Sequence, residues 1–219
     1  MTYNPNFIEY KPIFTKDEIK FLDDFNQLLP LKEFLKNRNL VDKFGFDFIY
    51  TNALIEGTTY SKADAITLLD FGITAGGKRY TDAKMLINLR DGFEFILDDD
   101  CIVNKFKIRQ IHSILADELI DEVGGVRRGG VLIKGSDYIP LNDPITLESE
   151  LDRVLEIYNT IPNPYEKALY LHNNLAYLQY FADVNKRTAR TILNLSLICE
   201  NKMILIPQDE YIDIYIWYY

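Results

Sequence analysis

Apolar residues recur at helical spacing along most of the 219-residue chain, and one stretch breaks the rhythm. Thr15-Lys16-Asp17-Glu18 reads as a capping box opening a helix with Ile19, Leu22, Phe25 and Leu28-Leu29 on one side, closed by Pro30. Before it, Pro5 and Pro12 predict an irregular arm. A second helical pattern runs from about Leu40 to Ile55, turns Phe44, Phe48, Tyr50 and Leu54 inward, and ends at Glu56-Gly57, with Gly57 as the residue just past the end. Ser61 caps a helix from Lys62 to Phe71, and Gly72 to Tyr80 is a loop. Further helices are predicted over Thr81–Leu97, Asn104–Ile120, Thr146–Tyr158 and Pro164–Tyr177, the last with proline in its first turn. The final run, Lys202 to Tyr219, holds Ile204, Ile206, Tyr211, Ile212, Ile214, Tyr215, Trp217 and Tyr218. It predicts a last short helix packed on the domain, with a partner surface as the rival reading.

The break lies between Glu122 and Pro144. Paired glycines punctuate two short β-rich pieces, Val131-Leu132-Ile133 and Tyr138-Ile139, and Lys134-Gly135-Ser136-Asp137 suits the turn between them. An isolated hairpin in a helical protein is either a decoration or an edge that binds an extended peptide, and pattern alone leaves both open.

Composition narrows the class. Apolar residues at 47% and charged residues at 26% fit a soluble globular protein of one domain, residues 1–219. A net charge of −9 argues against general nucleic-acid or anionic-membrane binding, since both need basic surface. Cys101 and Cys199 are too few and too separated for a disulfide framework or zinc site. Neither a secretory signal nor a long apolar span is evident, so the cytoplasm is the expected compartment.

The chemistry concentrates in Tyr170 to Glu200. Two apolar helical runs flank a polar core, Phe181-Ala182-Asp183-Val184-Asn185-Lys186-Arg187-Thr188-Ala189-Arg190, and the second run is apolar nearly all round, which predicts burial at the centre of the domain. Charges at the mouth of a buried helix are costly unless paired. The helix N-terminus suits an anion, Arg187 and Arg190 share a face able to grip phosphoryl groups, and Asp183 is a ligand for magnesium against phosphate oxygens. An ordinary solvated cap with surface ion pairs explains the same spacing, and spacing does not separate the two.

This core resembles the signature of Fic (Fido-fold) proteins, H-x-F-x-[D/E]-G-N-G-R-x-x-R. Phe181, Asp183, Asn185, Arg187 and Arg190 match in register, whereas Gln179 stands at the histidine and Val184 and Lys186 at the two glycines. Upstream, Asn52 to Gly57 resembles the inhibitory-helix motif [S/T]-x-x-x-E-[G/N], with Asn52 where Ser or Thr is usual. The run Gly125 to Pro140 resembles the family's target-docking hairpin, the flap. The resemblance implies a mainly α, Fic-like helical bundle with a small β-hairpin. Its parts are an N-terminal arm and helix (1–40), an inhibitory-helix-like segment (41–57), the flap (125–140) and the motif helices (170–200).

The family transfers AMP from ATP to a protein hydroxyl. The resemblance therefore implies ATP and Mg2+ as cofactors and a protein target at the flap through Val131, Leu132 and Ile133. It implies nucleotide binding by Asp183, Asn185, Lys186, Arg187 and Arg190, magnesium at Asp183, and regulation by Glu56 and Gly57 through a Glu56–Arg190 pair. Gln179 occupies the place of the family's general base, yet a side-chain amide has no accessible proton-accepting state near neutral pH, and losing such a base costs about 10²–10⁴-fold. His172 lies two turns earlier, roughly 10 Å away by helical rise, and reads as a core residue. His112 has no acidic or nucleophilic companion in sequence. Val184, being β-branched, disfavours positive φ, so an altered turn is expected there, with the Lys186 ammonium compensating. The expected function is nucleotide binding with weak or absent transfer, the alternatives being an active AMP-transferase and a non-catalytic scaffold. Self-association is left open.

Overall fold

Polar caps set where the helices begin. The computed structural model describes residues 2–207 apart from Asp99, Lys134 and Gly135. Within them the α-helices are α1 (Lys16–Leu28), α2 (Leu31–Lys36), α3 (Arg38–Ile55), α4 (Lys62–Phe71), α5 (Tyr80–Leu97), α6 (Lys105–Ala116), α7 (Pro144–Thr160), α8 (Pro164–Leu178) and α9 (Asn185–Cys199). Thr15, Asn37, Ser61, Asn104, Asp143 and Asn163 each accept a hydrogen bond from the first turn of α1, α3, α4, α6, α7 and α8. These bonds satisfy donors the helix leaves open. At α9 the cap position is Val184, and no side chain caps the helix.

α9 is the hub. It packs against α8, α6 and α5, and every residue from Arg187 to Ile198 is buried. α3 lies on α5 with α2 beside it, and α7 covers α8. The mainly helical class implied by the sequence is the class observed. Among the described residues no helix is long and apolar enough to cross a membrane.

Three elements depart from the sequence pattern. α2 was not foreseen, because Pro30 reads as a stop yet here serves as the cap of a new helix that buries Leu31 and Phe34. α6 ends at Ala116, short of the expected Ile120, because the Asn88 amide donates to the carbonyls of Leu115 (3.2 Å) and Asp117 (2.8 Å) and so replaces the next helical donors. On α1, Phe25 and Leu28 are exposed (62% and 81%). Its contacts with the body are largely polar: Asp23 meets Lys202 and the Tyr165 hydroxyl, and Asn26 accepts from the Met203 N–H at 2.8 Å. Residues 202–207 form no helix; they are tied to α9 by a reciprocal pair of bonds between the Asn194 amide and Leu205 backbone (2.7 and 3.0 Å). The aromatic residues 211–218 lie outside the described residues.

Between α6 and α7 the chain turns back on itself, with the Ser136 N–H donating to the Ile133 carbonyl at 3.1 Å. Among the described residues the two legs form no paired ladder; an unsupported two-stranded hairpin is marginal in water. Ile139 instead pairs with the N-terminal arm, accepting from the Tyr3 N–H at 3.1 Å in a parallel bridge with Thr2. Tyr177 of α8 collects these parts, stacking on Tyr3 (5.4 Å) and Tyr138 (4.8 Å). The arm is held further along by Glu166, a buried carboxylate in the first turn of α8 that accepts from the N–H groups of Ile13 and Phe14, both at 3.0 Å, and from the Tyr10 hydroxyl. Glu166→Ala strands those donors and should cost about 3 kcal/mol. Chemical denaturation together with faster proteolysis at residues 9–15 checks this, and an unchanged protein contradicts the anchoring role.

Candidate functional site

The signature core forms the loop from Gln179 to Val184 and the first turns of α9. Both ends of the loop are left-handed: Gln179 has φ 48° and Val184 φ 60°. Thus the turn expected to alter without glycine keeps the left-handed conformation, at the expense of strain at a β-branched residue, of order 1–3 kcal/mol. The Asn185 amide staples the loop, accepting from the Phe181 N–H (2.9 Å) and donating to the Phe181 carbonyl (2.8 Å) and Gln179 Oε1 (3.3 Å). Gln179 Nε2 donates to the Ala176 carbonyl at 2.7 Å, so this amide is engaged on both sides. Asn185 therefore stands at the site as a loop brace, with its side chain turned to backbone.

Arg190 is buried one turn into α9 and meets α3. Its Nη2 donates to Glu56 Oε1 at 2.6 Å, and its Nε to Asn52 Oδ1. Asn52 is fixed in turn by a 2.8 Å bond from its amide to the Phe48 carbonyl. Arg187 Nε lies 3.7 Å from Glu56 Oε2 and, although buried, has no hydrogen-bond partner among the described residues. Burial raises the Glu56 pKa, but the charges of Arg190 and Arg187 outweigh it, and the carboxyl is held below its usual range. Gly57 follows in the left-handed conformation (φ 76°) and ends α3 there.

In front of this cluster is a cleft of about 470 Å³. Its floor is Gln179 and Ala182 to Lys186, its far wall is Val131, Leu132 and Ile133 of the flap, and Glu56 reaches in from α3. Leu132 is 93% exposed. Asp183 is exposed at the rim, with Oδ1 accepting from the Val184 N–H at 2.6 Å. Burial lowers the Lys186 pKa, and Glu56 opposes that shift. Among the described residues no group of three or more His, Cys, Asp or Glu could hold a metal. The Asp183 carboxylate at the rim, beside an uncapped helix N-terminus and an Arg187 Nε that makes no hydrogen bond among the described residues, fits a magnesium–phosphate group, whose phosphate oxygens and water would complete the coordination, better than a resident ion.

Sequence reasoning passed over two buried groups behind the loop. Arg127, 1% exposed, donates through Nε to the Gln179 carbonyl (2.6 Å), through Nη1 to the Gly129 carbonyl (2.6 Å) and Asn142 Oδ1 (3.3 Å), and through Nη2 to the Leu141 carbonyl. His112 stacks on Phe181, ring centroids 3.7 Å apart. A positive charge inside a Gly-rich segment was the available signal for Arg127; His112 on an apolar helix face gave none. His172 lines no part of the cleft: it is buried in α8, with its Nδ1 bonded to Asn173 Oδ1 at 3.0 Å.

Comparison with known proteins agrees with this geometry. The Fic/DOC family profile matches residues 103–197, from the start of α6 through most of α9. A solved Fic domain containing signaling protein from Bacteroides thetaiotaomicron superposes with a TM-score of 0.75 at 27% identity, covering 90% of this chain and 78% of that one. The Fic-1 structure from Caenorhabditis elegans (TM-score 0.68, 22% identity, 87% and 58% coverage) shares the fold. Among curated proteins, the protein adenylyltransferase Fic of Nematostella vectensis is 26% identical over 186 residues, and fic-1 of Caenorhabditis briggsae 24% over 188. These matches span 78–79% of this chain but only 36–40% of the relatives. Residues 103–197 thus match the Fic/DOC family profile and the chain shares the helical fold of solved Fic proteins, while Gln179, Val184 and Lys186 depart from the signature.

Burial pushes the His172 imidazole from its usual 6.5 down to about 4, with the Arg190 charge assisting and the Asn173 bond opposing. Above pH 6.5 the ring is neutral in both folded and unfolded chains; below it only the unfolded chain takes up the proton, so stability falls with pH until the folded ring titrates near 4. Between pH 7 and pH 5 this removes about 2 kcal/mol. Urea denaturation at both pH values should find a correspondingly smaller drop in His172→Gln, and equal drops contradict the assignment.

Proposed function

We propose that this protein binds an adenine nucleotide, transfers AMP weakly or not at all, and rests in a state held by Glu56. The 2.6 Å bond between Glu56 and Arg190 carries this reading, because it spends on an internal carboxylate the guanidinium that the signature offers to phosphate. The first-turn N–H groups of uncapped α9 and the Lys186 ammonium receive phosphates, and Arg187 supplies a nitrogen that makes no hydrogen bond among the described residues in the resting state. Asp183 holds the magnesium ion, which neutralises phosphate charge when bound. A protein segment docks along Val131, Leu132 and Ile133 at the cleft's far wall. Gln179 positions rather than deprotonates, its amide being bonded to Ala176 and Asn185.

A second reading, an active AMP-transferase onto a protein hydroxyl, draws support from the curated relatives, which are named protein adenylyltransferases. It requires the target hydroxyl to react without a side-chain base, at a cost of about 10²–10⁴-fold.

Calorimetric titration with ATP and magnesium separates these outcomes. Glu56→Gly should tighten binding roughly tenfold or more, as expected for release of a charged competitor. Gln179→His in that background should create transfer of labelled AMP where the wild-type residue supports little. Equal affinity with and without Glu56 removes the regulatory reading, and absence of binding in both removes the nucleotide site.

A further inference from the structure

The loop that faces the cleft is strained at both ends, and strain persists only where surrounding contacts hold it. Those contacts come from outside the signature. At one end, the Gln179 carbonyl accepts from Arg127 Nε at 2.6 Å, and the next carbonyl, of Tyr180, accepts from the Arg127 N–H at 3.1 Å. At the other, the carbonyl of Asp183, immediately before strained Val184, lies 3.1 Å from His112 Nε2.

The His112 tautomer follows from its second bond. Nδ1 lies 2.9 Å from the Gly124 N–H, which can only donate, so Nδ1 accepts and the proton sits on Nε2, aimed at Asp183. Gly124 is needed for that approach, since a Cβ there would lie 2.3 Å from Ser113 Oγ. The ring is fully buried and parallel to Phe181 within 7°. Arg127 has no carboxylate partner among the described residues; its donors end on backbone carbonyls and one amide, tying the loop to Gly129 in the flap and to Leu141 and Asn142 just beyond it. The planar fork fixes the directions of these bonds, so the guanidinium sets the loop's position against its neighbours.

We propose that His112 and Arg127 are the positioning residues of the phosphate-facing loop, His112 setting the Asp183–Val184 peptide and Arg127 the Gln179 peptide. This rests on the nucleotide-binding reading for its functional consequence. With His112 in place, the first-turn N–H groups of α9 and the Asp183 carboxylate face the cleft together; without it, Val184 relaxes out of the left-handed region and the two diverge.

The test uses the full chain in three variants. His112→Asn retains an acceptor for Gly124 but loses the donor to Asp183; His112→Gln returns an amide N–H near the former Nε2. Arg127→Lys retains the charge but not the fork. In ligand-free protein, amide hydrogen exchange over residues 182–187 should rise roughly tenfold in His112→Asn and stay near wild type in His112→Gln, while α3 and α5 remain unchanged. Arg127→Lys should raise exchange over residues 179–181. In parallel, the gain in ATP affinity that magnesium brings should fall in His112→Asn and survive in His112→Gln, a split that a general loss of stability would not produce. Unchanged exchange in His112→Asn overturns the proposal, as does raised exchange with an intact magnesium gain. If the wild type binds no ATP, the nucleotide reading fails separately, and hydrogen exchange alone decides whether the two residues hold the loop.

Discussion

A guanidinium inside a buried helix has to be answered by oxygen atoms, and much of this structure is arranged around the answer given to Arg190. The charge is buried in α9, where an isolated cation would cost several kcal/mol. The acceptors arrive from α3, a helix more than 130 residues earlier, as Asn52 Oδ1 and Glu56 Oε1. Once they are in place α3 has a fixed register against α9, Asn52 is braced on Phe48, and Glu56 projects into the cleft. The same pair explains why a carboxylate is tolerated at a helix C-terminus, where the dipole alone disfavours it.

The loop in front of Arg190 follows a different economy. It bends back through left-handed residues at Gln179 and Val184, and glycine, which would adopt that conformation freely, is at neither position. Side chains hold it instead: Asn185 from within, Arg127 and His112 from behind. Because Arg127 also grips the flap, the two walls of the cleft share one support. The flap's outer leg leans on the N-terminal arm, and the arm on Glu166 and Tyr177 of α8, so elements at opposite ends of the chain meet around the same helix.

The proposed phosphate recognition rests on this arrangement. An uncapped helix N-terminus and a lysine face one cleft, and behind them the buried Arg187 Nε makes no hydrogen bond among the described residues, while the group expected to take a proton is an amide engaged on both sides. The likeness to Fic proteins accounts for the scaffold; the departures at Gln179, Val184 and Lys186 concern how this chain uses it.

Local chemistry was legible in the amino-acid sequence. Thr15, Ser61 and Asn163 mark helix starts because a cap bonds within three residues of itself, Gly57 marks an end, and the polar run from Phe181 to Arg190 marks the mouth of a buried helix. The all-round apolar character of α9 announced its central place. Pro30 misled, since one residue both stops a helix and opens the next, and of the apolar residues that share one side of α1, Phe25 and Leu28 lie exposed. The Glu56–Arg190 pair was named through the resemblance and is present, but no spacing pointed to it; tertiary structure alone decided that Asn52 joins it, that Val184 accepts a left-handed conformation, and that Arg127 and His112 stand behind the loop. Those facts depend on groups brought together across 50 to 140 residues, where burial and the need to satisfy every enclosed donor choose the partner, and no short-range periodicity records the choice.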